Sequence, residues 1–278
     1  MILSFTKMHG LGNDFIVIDA PRVADVPSSQ VLRRLADRHT GIGFDQALVV
    51  TPARREGTLA YYRVFNADGS EVEQCGNGAR CVADWLRRTG RSHGEDILVM
   101  DSPGGIVRAQ LRGPGIVAVD MGVPDFAPGS LPFTTVASAP PYALDLPGHG
   151  RVEFAVVSIG NPHAVLTVPE VATAAVATLG PVLETHAAFP RRVNVGFLEI
   201  VDAGHVKLRV FERGVGETAA CGTGACAAVA VGRKAGRLAR EVEVQLPGGL
   251  LQISWEGPGT SIWMTGPAAT AFEGRVEV

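Results

Sequence analysis

Two of the four cysteines occur in the same setting. Cys75 opens Cys-Gly-Asn-Gly-Ala and Cys221 opens Cys-Gly-Thr-Gly-Ala, each ahead of an apolar stretch that reads as a helix. A thiol at a helix N-terminus feels the positive end of the helix dipole, which favours the thiolate. The N–H groups of Gly76, Asn77, Gly222 and Thr223 would have no helical partner there and would form anion sites. A thiolate and a thiol on opposite faces of one carbon suit one reaction, inversion of a stereocentre beside a carboxylate. The base removes the α-proton, the acid returns one from the other side, and oriented N–H groups meet the charge that develops. Such chemistry calls for no cofactor. The three lysines, Lys7, Lys207 and Lys234, lie in no recognisable phosphate-binding context for pyridoxal phosphate. Zinc is not expected either: five residues separate Cys75 from Cys81, four separate Cys221 from Cys226, and no histidine knuckle follows. Cys81 and Cys226, one turn into the helices, read as small buried hydrophobes.

The cysteine motifs belong to a longer repeat. Residues 63–91 and 209–237 match without a gap at 11 of 29 positions: Arg63/Arg209, Val64/Val210, Phe65/Phe211, Glu71/Glu217, Cys75/Cys221, Gly76/Gly222, Gly78/Gly224, Ala79/Ala225, Arg87/Arg233, Gly90/Gly236 and Arg91/Arg237. Gly12-Asn13 answers Gly160-Asn161, Gln46 falls on Asn194, and Pro103-Gly104-Gly105 answers Pro247-Gly248-Gly249. The period is too long for a solenoid. It predicts an α+β chain of two pseudo-symmetric domains, residues 1–121 with 267–278 and residues 122–266, with the site in a cleft where Cys75 and Cys221 face each other. Bases flanking one carbon must lie close, so oxidants are expected to join the two thiols in a form that dithiothreitol reverses.

The first half reads as a strand, a turn at residues 9–14 and a strand over 15–19. A helix follows that is capped by Ser28 or Ser29, has the apolar face Val31, Leu32, Leu35 and Ala36, and ends at Gly41. Strands over 47–51 and 61–65, a turn over 66–70, a helix over 76–89 closed by Gly90, and hairpins over 97–121 complete it. Pro124, Pro128, Pro132, Pro140, Pro141 and Pro147 mark a crossover over 122–150. The second half replays the order: a strand over 154–158, a turn over 160–163, an alanine-rich helix near 171–179, strands to 201 and over 206–211, a helix to Ala235 and hairpins over 242–265. Residues 267–278 have no counterpart at the end of the first copy and are expected to cross back to it. Asn13, Asn66, Asn161 and Asn194, each on a loop of the replayed pattern, look like polar fingers around a zwitterion.

A net charge of −3 and a pI near 6.2 give no electrostatic footprint for nucleic acid, and the paired arginines are scattered as solvated faces would be. No apolar run approaches the ~20 residues of a membrane span. Met1 leads into Ile-Leu-Ser-Phe without the pattern of a signal peptide, so a cytoplasmic protein acting on a small molecule is expected.

Residues 5–15 (Phe-Thr-Lys-Met-His-Gly-Leu-Gly-Asn-Asp-Phe), 65–70 (Phe-Asn-Ala-Asp-Gly-Ser), 75–81, 160–163 (Gly-Asn-Pro-His), 212–218 (Glu-Arg-Gly-Val-Gly-Glu-Thr) and 220–224 closely resemble diaminopimelate epimerase over nearly the whole chain. The resemblance implies a cofactor-independent two-base epimerase that interconverts LL- and meso-2,6-diaminopimelate in lysine and peptidoglycan precursor biosynthesis. It implies two α/β domains, each an antiparallel sheet curled round a central helix. It makes Cys75 and Cys221 the acid/base pair, and Asn13, Gln46, Asn66, Gly76, Asn77, Asn161, Asn194, Glu212, Arg213, Gly222 and Thr223 the substrate contacts. His163 and Glu212 become neighbours that tune the thiols, and Arg213 a fork for a distal carboxylate. A homodimer is also implied, although Phe272 stands where some members carry a tyrosine linked to dimer packing.

Three other readings compete. A proline or hydroxyproline racemase of the same fold also pairs two cysteines, but a proline ring has no second charged head for Arg213. A phenazine-biosynthesis type isomerase of that fold would not need both thiols. A non-catalytic amino-acid-binding protein would have tolerated the loss of either cysteine, and both are present.

Overall fold

The computed structural model describes residues 2–72, 75–134 and 139–278, with Val23 as backbone alone. Met1, placed by the sequence reading ahead of the first strand, and residues 135–138 of the crossover lie outside the described residues, as do residues 73–74. The chain divides into two compact units, Met1–Asp120 with Thr265–Val278, and Met121–Met264.

In the first unit β1 (Ile2–Gly10) and β2 (Asn13–Asp19) form a hairpin through Leu11 and Gly12, both at positive φ as a primed two-residue turn requires. α1 (Ser29–Ala36) carries the chain across, so β3 (Gln46–Pro52) runs parallel to β2. β4 (Ala60–Asn66) and β5 (Glu71–Val72) extend the sheet antiparallel. After α2 (Gly76–Arg88), β6 (Ile97–Ser102) touches β4 in parallel and continues through β7 (Gly105–Gly113) to β8 (Ile116–Asp120) as a meander. The sheet is therefore antiparallel except where a helix forms the connection.

Both faces of this sheet are apolar. Ile16, Ile18, Ala47 and Val49 point to one side, where they join Leu32, Leu35 and Phe44 in a core under α1. Phe15 and Leu48 point to the other side and approach Gly78 of α2. α2 is buried over most of its length, from Asn77 to Leu86, and packs on β1, β2, β3, β7 and β8. Ser28 caps α1, its Oγ accepting from the Val31 N–H at 3.3 Å. The helix stops at Ala36, short of the expected Gly41, because the Asp37 carboxylate accepts from the N–H groups of His39 and Thr40 at 2.9 and 2.7 Å.

The second unit repeats this order. β9 (Tyr142–Leu146) pairs with β10 (Gly150–Ser158), which pairs with β11 (Pro162–Thr167). α3 (Val176–Glu184) leads to β12 (Asn194–Ile200), parallel to β11, followed by β13 (His205–Glu212) and β14 (Gly216–Thr218). α4 (Gly222–Lys234) precedes β15 (Glu241–Leu246), parallel to β13, and its partner β16 (Gly249–Trp255). β17 (Ile262–Pro267) follows, and β18 (Ala269–Glu277), which belongs to the first unit, pairs there with β1. β18 does for β1 what β9 does for β10: each covers the outer edge of its unit's first hairpin. α3 begins five residues later than the helix expected over 171–179 because Val176, Leu179 and Leu183 supply its buried face, while the Val171 N–H donates to Glu199.

Candidate active site

In the first unit Cys75 is the N-cap of α2, half-buried with an extended backbone. Its carbonyl takes the first helical bond, from Ala79 at 2.8 Å. Asn13, the first residue of β2, brings its carboxamide to the sulfur: Asn13 Oδ1 is 3.9 Å from Cys75 Sγ and accepts from Asn77 Nδ2 at 3.3 Å. Gln46 and Asn66 are cross-strand partners at the ends of β3 and β4, and Gln46 Nε2 donates to Asn66 Oδ1 at 3.0 Å.

Behind these amides lies a charged cluster. Asp14 pairs with Lys7 and takes two bonds from Arg38, at 3.0 and 2.7 Å; Arg38 also reaches Asp45 at 2.8 Å. Burial would raise the Asp14 pKa, but hydrogen bonds from Arg38 and Lys7 outweigh it and hold the carboxyl far below the usual range. Asp45 Oδ2 accepts from Asn13 Nδ2 at 3.0 Å and from the Asp14 N–H at 3.1 Å, tying the start of β2 to the loop before β3.

In the second unit Cys221 caps α4 and is buried, only 3% exposed. Thr223 Oγ1 lies 3.7 Å from its sulfur and accepts from Asn161 Nδ2 at 3.3 Å. Glu212, the last residue of β13, bonds Thr218 and Cys221. Burial raises the Glu212 carboxyl, opposed in part by Thr218 and Cys221. The Cys221 thiol is pushed well up, first by burial and then by the Glu212 charge, with Thr223 opposing. Burial therefore outweighs the pull of the helix N-terminus at this sulfur.

His163 belongs to β11 rather than to the expected turn, since Pro162 serves as the first residue of that strand. The ring is fully buried, with Nε2 3.0 Å from Asn161 Oδ1 and no partner for Nδ1 among the described residues. Burial, aided by the charge of Arg213, lowers its pKa to about 3, so the ring is neutral. Asn194, its neighbour on β12, donates to the Pro162 carbonyl at 3.0 Å and accepts from the Arg213 N–H at 3.0 Å.

The sequence model of diaminopimelate epimerase matches residues 5–127 and 155–271. The chain is similar over its whole length to the diaminopimelate epimerases of Acinetobacter baylyi, 52% identical across 98% of that protein, and of Nitrosomonas eutropha, 52% identical across 100%. This chain belongs to the diaminopimelate epimerase family. Membership makes it an isomerase. Among solved structures it is similar to a hydroxyproline epimerase from Agrobacterium vitis, with a TM-score of 0.72 at 17% identity covering 99% of this chain and 92% of that one. It is also similar to a phenazine biosynthesis protein of the PhzF family from Bacillus anthracis, with a TM-score of 0.69 at 18% identity covering both chains fully. At such identities the likeness is one of fold.

Within each unit, the residues that the family resemblance singled out gather around a sulfur. Asn13, Gly76 and Asn77 adjoin Cys75, with the Gln46–Asn66 pair at the neighbouring strand ends; Asn161, Glu212, Gly222 and Thr223 adjoin Cys221. Arg213 is exposed, and its Nη1 donates to the Arg191 carbonyl at 3.2 Å. The sequence reading missed the residues that hold these groups. Asp14, Arg38 and Asp45 fix the first set, and no spacing rule links positions 14, 38 and 45. Glu184, 4% exposed at the end of α3, accepts from the Gly214 N–H at 3.0 Å and from Arg192 at 3.4 Å, anchoring the turn that carries Arg213. Among the described residues no three His, Cys, Asp or Glu side chains group to hold a metal ion, and no helix is long and apolar enough to cross a membrane.

Proposed function

We propose that this chain interconverts LL- and meso-2,6-diaminopimelate by two-base proton transfer at the α-carbon, with Cys75 and Cys221 as the pair. The observation that carries the reading is the duplicated setting: each cysteine is the N-cap residue of a helix that opens Gly-x-Gly, and an asparagine at the first turn of each half reaches it, Asn13 at the Cys75 sulfur and Asn161 at Thr223 beside Cys221. One sulfur, as thiolate, takes the α-proton while the other, as thiol, delivers one to the opposite face; the roles exchange in the reverse direction. Cys221, buried beside Glu212, carries its proton in the resting protein and starts as the donor. The N–H groups of Gly76, Asn77, Gly222 and Thr223 meet the charge growing on the α-carboxylate. Asn13, Gln46, Asn66, Asn161, Asn194 and Glu212 take the ammonium and polar groups, Arg213 the distal carboxylate, while His163 and Glu212 set the acidity around Cys221. The identity of about half with named diaminopimelate epimerases favours this substrate over proline or hydroxyproline, since the hydroxyproline epimerase and the probable proline racemase that share the fold are 17% and 19% identical.

The reading extends to lysine and peptidoglycan precursor supply in the cytoplasm, with no cofactor, in two domains divided at residues 1–121 plus 267–278 and 122–266. It extends also to a homodimer; Phe272, half-exposed with its ring 5.9 Å from that of Phe5, leaves apolar surface open to a partner. Proton NMR of LL-diaminopimelate in deuterated water, with reductant and no added cofactor, tests the reaction. Deuterium at the α-carbon accompanied by the meso isomer is the expected result. Racemisation of proline in its place would move the substrate assignment, and no exchange by the folded, reduced protein would leave a binding protein.

A further inference from the structure

Asn13 has a carboxamide with two distinguishable ends, and each end is spoken for. Its Nδ2 donates to Asp45 Oδ2 at 3.0 Å; its Oδ1 accepts from Asn77 Nδ2 at 3.3 Å and lies 3.9 Å from Cys75 Sγ. Turning the amide over would set two NH2 groups against each other at Asn77 and put an acceptor against the Asp45 carboxylate. Asp45 is itself held, by Arg38 at 2.8 Å and by the Asp14 N–H at 3.1 Å. Arg38 is fixed in turn by its two bonds to Asp14.

From this chain of contacts we infer that Asp45 is a positioning residue for the reaction, acting through Asn13 to keep the carboxamide oxygen facing the Cys75 sulfur. An oxygen there accepts the S–H and disfavours a thiolate; an NH2 there would do the opposite. The ammonium of an incoming amino acid would compete for the same oxygen, so its arrival would free the thiol. Among the described residues, Tyr62 of β4, raised by burial, and Cys81 of α2, pushed up to about 12 by burial, are titratable groups that interact with this sulfur. Both keep their protons through the neutral and mildly alkaline range.

The inference rests on Cys75 as a reacting thiol, and its test reads that sulfur without turnover. Iodoacetamide alkylation of the full chain, followed peptide by peptide across pH, gives the Cys75 titration midpoint. Asp45→Ala is expected to lower it by about one unit, the size of one neighbouring interaction. Asp45→Asn, which keeps an acceptor oxygen and loses the charge, is expected to move it by less than about half as much. In an Asn13→Ala background Asp45→Ala is expected to move nothing, as coupling through Asn13 demands. Asp45→Ser, too short to reach Asn13, serves if the alanine variant does not fold. No shift in Asp45→Ala, an equal shift in Asp45→Asn, or a shift that survives without Asn13 would each overturn the inference. A Cys75→Ala enzyme with normal turnover would instead overturn the acid/base reading, and the alkylation result would be unaffected by it.

Discussion

The two cysteine sites share a backbone and differ in what surrounds the sulfur. Around Cys75 stand neutral amides, Asn13 and Asn77, with charges one shell behind them in the Lys7–Asp14–Arg38–Asp45 cluster. Around Cys221 a carboxyl, Glu212, bonds the sulfur itself, and the buried His163 ring is hydrogen-bonded to Asn161 at 3.0 Å. Aligned positions show how the difference arose: Asn66 answers Glu212, Asn77 answers Thr223, and Phe15, buried against Gly78, answers His163. Duplication supplied one scaffold twice, and substitution set neutral amides beside one sulfur and a carboxyl beside the other. Two unlike sites are what a substrate with two unlike faces requires.

The largest effect that probes this comparison comes from the sulfurs. Cys75→Ala and Cys221→Ala are each expected to reduce turnover by a factor of at least about 10³, since each removes one proton-transfer partner outright. Equal losses in both directions of the reaction would fit the pair acting as a unit. A variant retaining a tenth of normal turnover would break the two-base assignment. Next is Glu212→Gln, which removes the charge that helps to hold Cys221 protonated. The Cys221 alkylation midpoint is expected to fall and kcat/KM to drop by roughly 10²-fold, a typical share for a group that tunes acid–base catalysis. Asn66→Gln at the aligned position carries no charge change, and its Cys75 midpoint is expected to stay put.

The helix starts offer a comparison in stability. A Cβ at Gly78 would sit 2.8 Å from Leu48 Cδ2, and one at Gly224 would sit 2.8 Å from Val210 Cγ2. Alanine at either position is expected to destabilise its unit by about 1–3 kcal/mol through overpacking, against a gain of about 1 kcal/mol in helix propensity. The sites part company at the sulfur. The Gly224 Cβ would lie 3.2 Å from Cys221 Sγ, whereas the Gly78 Cβ would meet Leu48 Cδ2 and, at 3.5 Å, Cys75 Cβ and Phe15 Cε1 before the sulfur. Gly224→Ala should therefore lose activity beyond what its urea midpoint accounts for, and Gly78→Ala should not.

His163 and Phe15 give a pH comparison. With a folded pKa of about 3, His163 stays neutral where an unfolded histidine, near 6.5, takes a proton. The unfolded state thus binds more protons below pH 6.5, and stability falls as the solution is acidified. At pH 5 the cost is about 2 kcal/mol from this residue. His163→Phe, which copies the first unit, is expected to flatten that part of the profile in urea unfolding at pH 7 and pH 5. An unchanged slope would mean that another group carries it.

Much of this was legible in the sequence because duplication made chance agreement improbable. Glycines and cysteines at fixed offsets located both helix starts, whereas of the asparagines expected on loops Asn13, Asn66 and Asn194 are terminal residues of strands and only Asn161 lies in a turn. What could not be read was held by tertiary contact. Asp45 earns its place only because Arg38 and Asn13 reach it from distant positions, and α3 is set by burial of Val176, Leu179 and Leu183 rather than by the alanine content upstream. His163 looked like a turn residue after proline, and strand pairing with Asn194 decided otherwise.

The smallest effect concerns the pair that the repeat kept identical. Arg63 forks Glu71 at 2.7 and 2.6 Å, and Arg209 forks Glu217 at 2.6 and 2.9 Å, each clamping the short strand that leads to a cysteine. Both pairs are partly exposed, so each contributes below about 1 kcal/mol. They are not equivalent, however. Arg209 also donates to the carbonyls of Val171 and Ala172 at 3.1 and 3.4 Å, while Arg63 stacks on Phe65 with 4.7 Å to the ring centre. After Glu217→Gln, Arg209 keeps carbonyl acceptors; after Glu71→Gln, Arg63 keeps only its ring. Glu71→Gln is therefore expected to cost more than Glu217→Gln, and Arg209→Met more than Arg63→Met, by a few tenths of a kcal/mol in paired urea titrations. Raising the salt concentration should shrink the glutamate differences and leave most of the Arg209 excess, because bonds to carbonyls are screened less than an ion pair.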